Sequence, residues 1–535
     1  MNSATDGPNL ANRLNPLLPP VIVTVADVPP GPPRGRLAGP LLVVALVGLG
    51  IGLRAVPLVQ NRNLWIDEAM LALNLVERSP GRLLEPLGWN QGAPAGFLLA
   101  SKLAIDALGP TEFGLRLVPF LGSVFGLIAF AWLAPRLLPR PAALFGLALF
   151  AASPYLVSYA VECKQYSTDA AVTAGLFAVA AGLLRGERGG WRWAALGLAG
   201  ALAVWFSHPA AFVLGGIGTA LLAEAALGRD RKRFLAAAAT VGCWLVSFAV
   251  CYVLLLRQLG SNQYLLDYWA GHFLPLPPKE VGDTAWLLDH FFGFFQFPGG
   301  LGGTEIKAGG IAAVLFLVGV YGFWKERWPV AVALVLPAVF ALLASGLHKY
   351  PFSGRLLLFL VPLMLLGVAR GAGMIGAALW SSQPVAAVVL FGVLTAAPVL
   401  ETWQEFRRPM RYEQLTPVIA QVRQRWQPGD RMYVYYGAVP AFTFYTRDNP
   451  PFPPDAVTLG TEFRDSRTSY RDELAGLKGQ RRVWVVFSHR HKDEESFVRA
   501  YAEGMGRCEE VVKEPGAAAY LFDFSATTEP PRGFP

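Results

Sequence analysis

"AGPLLVVALVGLGIGLRAVPLVQNRNLWIDEAMLAL", residues 38–73, sets a long apolar run almost directly against two adjacent acids, Asp67 and Glu68. The run 38–59 is close to the roughly 20 residues that a helix needs to cross a bilayer. The acids follow "LWI" and precede "AMLALNLV", which places them at the membrane face rather than in a solvated linker. Ionisable groups at such a face are costly and tend to be functional. Acids also favour the first turn of a helix, where unpaired N–H groups and the helix dipole attract them.

Outward from this stretch, similar apolar runs recur at 115–134, 141–159, 168–185, 192–207, 209–227, 234–256, 309–324, 328–346, 354–369 and 384–400. Of the 535 residues, 53% are hydrophobic and 16% charged, against about 25% charge in an ordinary soluble domain. The reading is an α-helical polytopic membrane protein with about eleven transmembrane helices. The stretch 371–381 is short and Gly-rich, and reads as a connection on the cytoplasmic side. Residues 1–37, with "PPGPPRGR" at their end, read as a flexible cytoplasmic tail before an uncleaved first span.

Charge orders the loops. With the N-terminus inside, "PRLLPRP" (135–141), "RGERGGWR" (185–192), "GRDRKR" (228–233), "KER" (325–327) and Arg370 all fall on the cytoplasmic side, and every one is basic. The net charge of +8 is thereby accounted for without a nucleic-acid partner. The other side receives loops 60–114 and 257–308 and the region 401–535. That last region changes character. "DRMYVYYG", "RRVWVVFSH" and "AAAYLFDF" read as strands, and "YEQLTPVIAQVRQRW" and "DEESFVRAYAEGM" as amphipathic helices. Together they predict a small extracytoplasmic α/β domain. There is no Walker loop, dinucleotide fingerprint or internal repeat. The cysteines Cys163, Cys243, Cys251 and Cys508 have no metal-ligand spacing, and a Cys163–Cys508 disulfide has little support.

Polar residues gather in the external turns. At the first, Asp67 or Glu68 is able to serve as a general base on an incoming hydroxyl or amine, or to hold a divalent metal. "YAVECKQYSTDAAV" (159–172) places Glu162, Gln165, Tyr166 and Asp169 at helical spacing, one polar stripe if helical, with Lys164 off that stripe, either in the turn or serving a different partner; the set is either a solvated turn or a substrate-binding group able to bond a sugar. "HKYPFSGRLLLFLVPL" (348–363) carries Lys349 and Arg355 on the side where cations are disfavoured. They are either interfacial anchors or partners of a phosphate. His208 sits in a short turn, "WFSHPAAF", and is either structural or substrate-binding. Asn90 and Gln91 in "NQGAPAGFLL" face the same choice. The aromatic and polar run "SNQYLLDYWAGHF" (261–273) reads first as an interfacial helix.

Taken in this order, "WIDEA", "YAVECKQYSTD" and "PFSGRLLLFLVP" resemble the GT-C class of membrane glycosyltransferases. The resemblance covers residues 38–400 and is nearest to the bacterial branch of protein O-mannosyltransferases and lipid A aminoarabinose transferases. Lys164 stands where that branch commonly has Arg, which keeps a cation but removes bidentate geometry. The resemblance implies an inverting transfer of sugar from a polyprenyl-phosphate donor to a lipid, glycan or protein acceptor, outside the cytoplasm, in the inner (plasma) membrane. It implies Asp67 as the base, Glu68 supporting it or binding substrate, and Lys164, Lys349 and Arg355 competing for the donor phosphate. No cofactor is expected, a divalent metal being the one open option. A transporter or flippase of a lipid-linked sugar is the alternative, and it should leave ionisable groups deep within the spans.

Overall fold

In a computed structural model, residues 38–303, 305–407, 413–462 and 467–526 are described, and the expected tail 1–37 lies outside them. Residues 42–535 form one unit. The helices run α1 Ala38–Gln60, α2 Ile66–Glu77, α3 Ala95–Leu108, α4 Glu112–Leu137, α5 Arg140–Ala152, α6 Pro154–Ser158, α7 Tyr166–Leu184, α8 Gly190–Phe206, α9 Ala210–Leu227 and α10 Arg231–Cys251. A π-helical turn, Tyr252–Leu256, leads into α11 Arg257–Leu259 and α12 Gln263–Tyr268. Then come α13 Val281–Gln296, α14 Gly309–Gly346, α15 Val361–Ser382 and α16 Pro384–Arg407.

All eleven predicted segments fall on helix. Among the described residues, eight helices are long and apolar enough to cross a membrane as single elements, or nine if α5 and the bent piece after it count as one. The difference from eleven has two physical sources. The α8 helix has 17 residues. The 38-residue α14 holds two predicted spans, and its backbone leaves helical geometry at Arg327 (φ −153°, ψ 82°), inside the "KER" stretch.

The Gly-rich stretch 371–381 is not a separate connection, because α15 continues through it to Ser382. Its glycines serve close packing. A Cβ on Gly371 would lie 1.9 Å from the Leu315 carbonyl oxygen, and one on Gly319 1.9 Å from that of Gly367. Small residues let membrane helices approach to this distance.

The five basic loops converge. Arg185 donates to the Arg136 carbonyl at 2.9 Å, and Arg233 to that of Leu183 at 2.5 Å. Glu224 accepts from both Arg233 (2.7 Å) and Arg327 (2.6 Å), and Arg370 pairs with Glu326. One end of the bundle is thus cationic. The α7 helix leaves it at Leu184 and reaches Tyr166 at the other end, about 28 Å away at 1.5 Å per residue.

The chain bends by 50° between α5 and α6. The fully buried Arg54 of α1 holds this corner. Its guanidinium donates to the carbonyls of Ala151 (3.1 Å) and Phe150 (3.2 Å) at the end of α5, and to Gly50 (2.8 Å). It also donates to Ser123 Oγ at 2.8 Å, and that hydroxyl donates on to the Leu156 carbonyl in α6 at 3.2 Å. A buried cation without a carboxylate is tolerable here because the carbonyls at a helix C-terminus carry partial negative charge.

After α16 come α17 Leu415–Arg425, β1 Arg431–Val434, α18 Val439–Thr446, β2 Val457–Leu459, α19 Arg467–Ala475, β3 Val483–Ser488, α20 Glu494–Met505, β4 Arg507–Glu514 and β5 Ala517–Asp523. The sheet order is β2-β1-β3-β5-β4, with β1 parallel to β2 and β3, and β5 antiparallel to β3 and β4. Every residue of β3 is buried, as expected of a central strand covered on both faces.

Candidate active site

The quoted acids open α2, and they part company at once. Glu68 is fully buried and ion-paired with Arg116 of α4. Arg116 Nε donates to Glu68 Oε1 at 2.9 Å and Nη2 to Oε2 at 2.8 Å. Its remaining N–H groups reach the carbonyls of Arg62 (2.8 Å) and Asn63 (3.3 Å), and Cys163 N–H donates to Glu68 Oε1 at 2.8 Å. Burial alone raises the Glu68 carboxyl, but Arg116 outweighs it and holds the group below its usual range. This arrangement ties the loop before α2, the start of α4 and the 162–165 turn together, and gives Glu68 no face toward a substrate.

Asp67 looks the other way. Its carboxylate pairs with Arg355, just inside Gly354, whose backbone adopts φ +52°. The Arg355 guanidinium stands over the rings of Trp65 (5.3 Å) and Tyr166 (5.4 Å), and Tyr159 packs edge-on against Tyr166. Desolvated cation–π contacts of this kind fix a guanidinium without neutralising it. Burial pushes Asp67 up, but Arg355 and then Lys164 push it down further, so it lies below the usual carboxylate range. Lys164 is 5% exposed and donates to Gln91 Oε1. Burial lowers its ammonium, with the charge of Asp67 opposing. Two cations and one carboxylate therefore share a small aromatic-walled site.

The predicted polar stripe is not one helical face, because α7 starts only at Tyr166. Residues 162–165 form a bent turn, stabilised by Lys164 N–H donating to the Glu162 carbonyl at 2.6 Å. Lys164 thus lies in the turn, one of its two expected places, and that bend turns it toward Asp67. Glu162 is fully buried near Arg62 and Lys164, whose charges it influences. Gln165 reaches the Gly92 carbonyl at 3.5 Å, while among the described residues its Oε1 and Asp169 Oδ1 are buried without a hydrogen bond. His208 is half-buried and lines a groove with Gln91, Gly92, Leu98 and Leu259, and burial pushes its imidazole down to about 4. It is therefore neutral at ordinary pH, suited to a hydrogen bond and not to pairing with phosphate.

Lys349 is the outlier. It is exposed, and among the described residues no hydrogen bond or ion pair joins its side chain to the site. Asn90 is likewise exposed and accepts from Asn262 at 3.2 Å. Cys163 and Cys508 are both free, so the conceivable disulfide is not formed. Burial pushes the Cys163 thiol up to about 12, which removes it as a nucleophile. Among the described residues no group of three or more His, Cys, Asp or Glu side chains is placed to hold a metal.

Sequence reasoning missed the contribution of the C-terminal domain. Tyr445 of α18 accepts from Leu64 N–H (2.7 Å) and donates to Glu112 (2.9 Å), and Thr416 N–H donates to Asn63 Oδ1 (3.0 Å). His489, just after β3, puts its ring 5.8 Å from that of Trp65. Arg116 was missed too, although a lone Arg in the apolar "GLRLVPF" was a readable signal, since a buried charge needs a partner.

No protein-family model and no curated protein matches the chain in sequence. Solved structures do match in fold. ArnT from Cupriavidus metallidurans in the apo state aligns with a TM-score of 0.52 at 14% identity, over 92% of this chain and 99% of that one. The same protein bound to undecaprenyl phosphate gives 0.53 at 14%, over 90% and 97%. The apo oligosaccharyltransferase of Archaeoglobus fulgidus gives 0.55 at 11%, over 92% of this chain and 75% of that one. At such identity the likeness is one of fold, and that fold is the GT-C architecture that the sequence resembles.

Proposed function

We propose that the chain is a membrane glycosyltransferase that moves a sugar from a polyprenyl-phosphate donor to an acceptor on the extracytoplasmic side, with inversion. The observation that carries this reading is the Asp67–Arg355 pair, walled by Trp65 and Tyr166 and flanked by Lys164, at the end of the bundle away from the basic loops. The fold shared with ArnT, one of whose structures holds undecaprenyl phosphate, supports the donor class.

The chemistry follows from the charges. While paired with Arg355, Asp67 is ionised but a weak base. A donor phosphate entering between Lys164 and Arg355 competes for the guanidinium, which suits bidentate phosphate binding. Drawing Arg355 onto the phosphate frees Asp67 and raises its basicity, so donor binding prepares the base. Asp67 then takes the proton of the acceptor hydroxyl or amine as that atom attacks the anomeric carbon. The bond from that carbon to the phosphate oxygen breaks, and the lipid phosphate leaves with the electron pair, its charge held by the two cations. Glu68 sets the position of its neighbour through Arg116. Lys349, exposed and apart, is left as a surface anchor.

The test is incubation of purified protein with a panel of polyprenyl-phosphate sugars. Release of lipid phosphate is expected, whereas movement of the lipid across a vesicle membrane without release would favour the flippase. Arg355→Ala lowers kcat/KM for the donor by about 10- to 100-fold, the scale of a lost charge-assisted contact, with a smaller change for the acceptor. A donor titration matching wild type would remove Arg355 from the phosphate site.

The convergence of the basic loops supports a cytoplasmic location for that end, and with it an extracytoplasmic C-terminal domain. Reporter fusions at residues 230 and 535 should read opposite sides, and the same side for both would refute this orientation.

A further inference from the structure

We infer that the C-terminal domain completes the transfer site, with His489, held by Glu413 against Trp65, as the residue that binds the acceptor. This rests on the transferase reading and adds a specificity-determining group to it.

The sheet itself points to the place. The chain leaves β1 for β2 on one side, and β3 lies on the other, all three parallel. Connections diverge at the carboxyl ends of β1 and β3, which opens the kind of crevice where open α/β sheets bind ligands. Gly437 follows β1 at that end. A Cβ there would stand 2.6 Å from the His489 carbonyl oxygen and 3.0 Å from that of Ser488, so glycine is what lets the two strand ends close up. His489 itself adopts φ +48°, a left-handed conformation that costs a non-glycine residue energy and clusters at functional sites.

The side chain is oriented, not merely placed. Its Nδ1 lies 2.9 Å from Glu413 Oε1, and Ser488 Oγ donates to Glu413 Oε2 at 3.2 Å. In the neutral ring, a carboxylate at Nδ1 takes the N–H there and Nε2 is the accepting edge. The ring tilts 43° against Trp65, the same ring that carries Arg355, and Arg355 carries Asp67. His489 is 27% exposed, so a ligand has access to it. Tyr445 and Thr416 fasten the domain to the loop just before α2, which carries Asp67. An accepting nitrogen beside the base suits a hydroxyl of the acceptor, adjacent to the one that reacts.

The experiment uses the full-length protein with, as donor, the radiolabelled undecaprenyl-phosphate sugar that the panel shows it to cleave, octyl β-glucoside as alcohol acceptor, and water as the competing one. His489→Ala should raise the KM for octyl β-glucoside about tenfold, the size of one lost hydrogen bond with its buried partner. The KM for the donor should stay near wild type. His489→Gln, whose amide oxygen is able to accept in place of Nε2, should recover most of the acceptor affinity. An unchanged acceptor KM in folded His489→Ala protein overturns the inference, as does an equal rise for donor and acceptor, which marks a merely structural residue. No release of lipid phosphate by the wild type from any donor of the polyprenyl-phosphate sugar panel removes the transferase reading, and this inference with it.

Discussion

Asp67→Asn lowers turnover by about 10²–10⁴-fold at saturating donor and acceptor, the usual scale for loss of a general base. The substitution keeps shape and one hydrogen bond to Arg355 while abolishing proton acceptance. It also leaves Arg355 without its carboxylate, but the Trp65 and Tyr166 rings still hold the guanidinium. The donor KM is therefore expected to stay level or fall, because Arg355 no longer has to be drawn from a competing anion. A kcat loss without a donor KM rise separates the base from a residue that only positions the phosphate. Gel filtration in detergent checks folding. Near wild-type turnover in folded Asp67→Asn protein would return this acid to the role of a helix-start charge.

The neighbouring acid produces the opposite phenotype. Arg116→Leu strands Glu68 as a buried charge, and Glu68→Gln strands Arg116. Either change costs about 3–5 kcal/mol, the scale for breaking one side of a buried pair. Both variants should lose most of their folded material at the temperature where wild type is stable, as read by fluorescence-detected gel filtration after heating. The double variant Glu68→Met with Arg116→Met removes both charges and should be more stable than either single one, since a buried pair replaced by apolar groups is often neutral. A double variant as unstable as the sum of the two singles would show that the pair is not coupled. Activity per folded molecule should fall less than in Asp67→Asn, because Glu68 touches no substrate and acts only through the position of its neighbour.

The sequence made the bundle readable because two independent signals agreed. Each apolar run had about the length of a span, and each alternate loop was basic; the five loops meet at one end through Arg136, Arg185, Arg233, Arg327 and Arg370. What misled was glycine. The stretch 371–381 carried a composition that breaks soluble helices, yet Gly371 is there to bring α15 against Leu315. At the site, Asp67 and Arg355 were legible because each stood where its charge is disfavoured. The division of labour between Asp67 and Glu68 was not, since adjacent helical residues point about 100° apart and nothing in "DE" says which one faces Arg116. His489 was illegible for another reason. In "FSHRHKDEE" it stands among charges that describe an ordinary solvated strand end, and only the docking of the whole domain on Trp65 gives it a neighbour.

The bend after α5 looks like a hinge in outline, yet Arg54 makes it a brace. Four hydrogen bonds from one guanidinium span α1, α4 and α5, and the Ser123 hydroxyl carries the linkage into α6. Flexing that corner would strand a charge in apolar surroundings, so it behaves as a welded joint in the frame. Compliance has to be found where deformation breaks fewer bonds. The π-turned end of α10 is such a place: Tyr252, Val253 and Leu254 are exposed, and the following α11 and α12 have no buried residue. Leu255 and Leu259, at and just after that turn, border the groove at Gln91 and His208, so the wall of that groove is the yielding part of the frame.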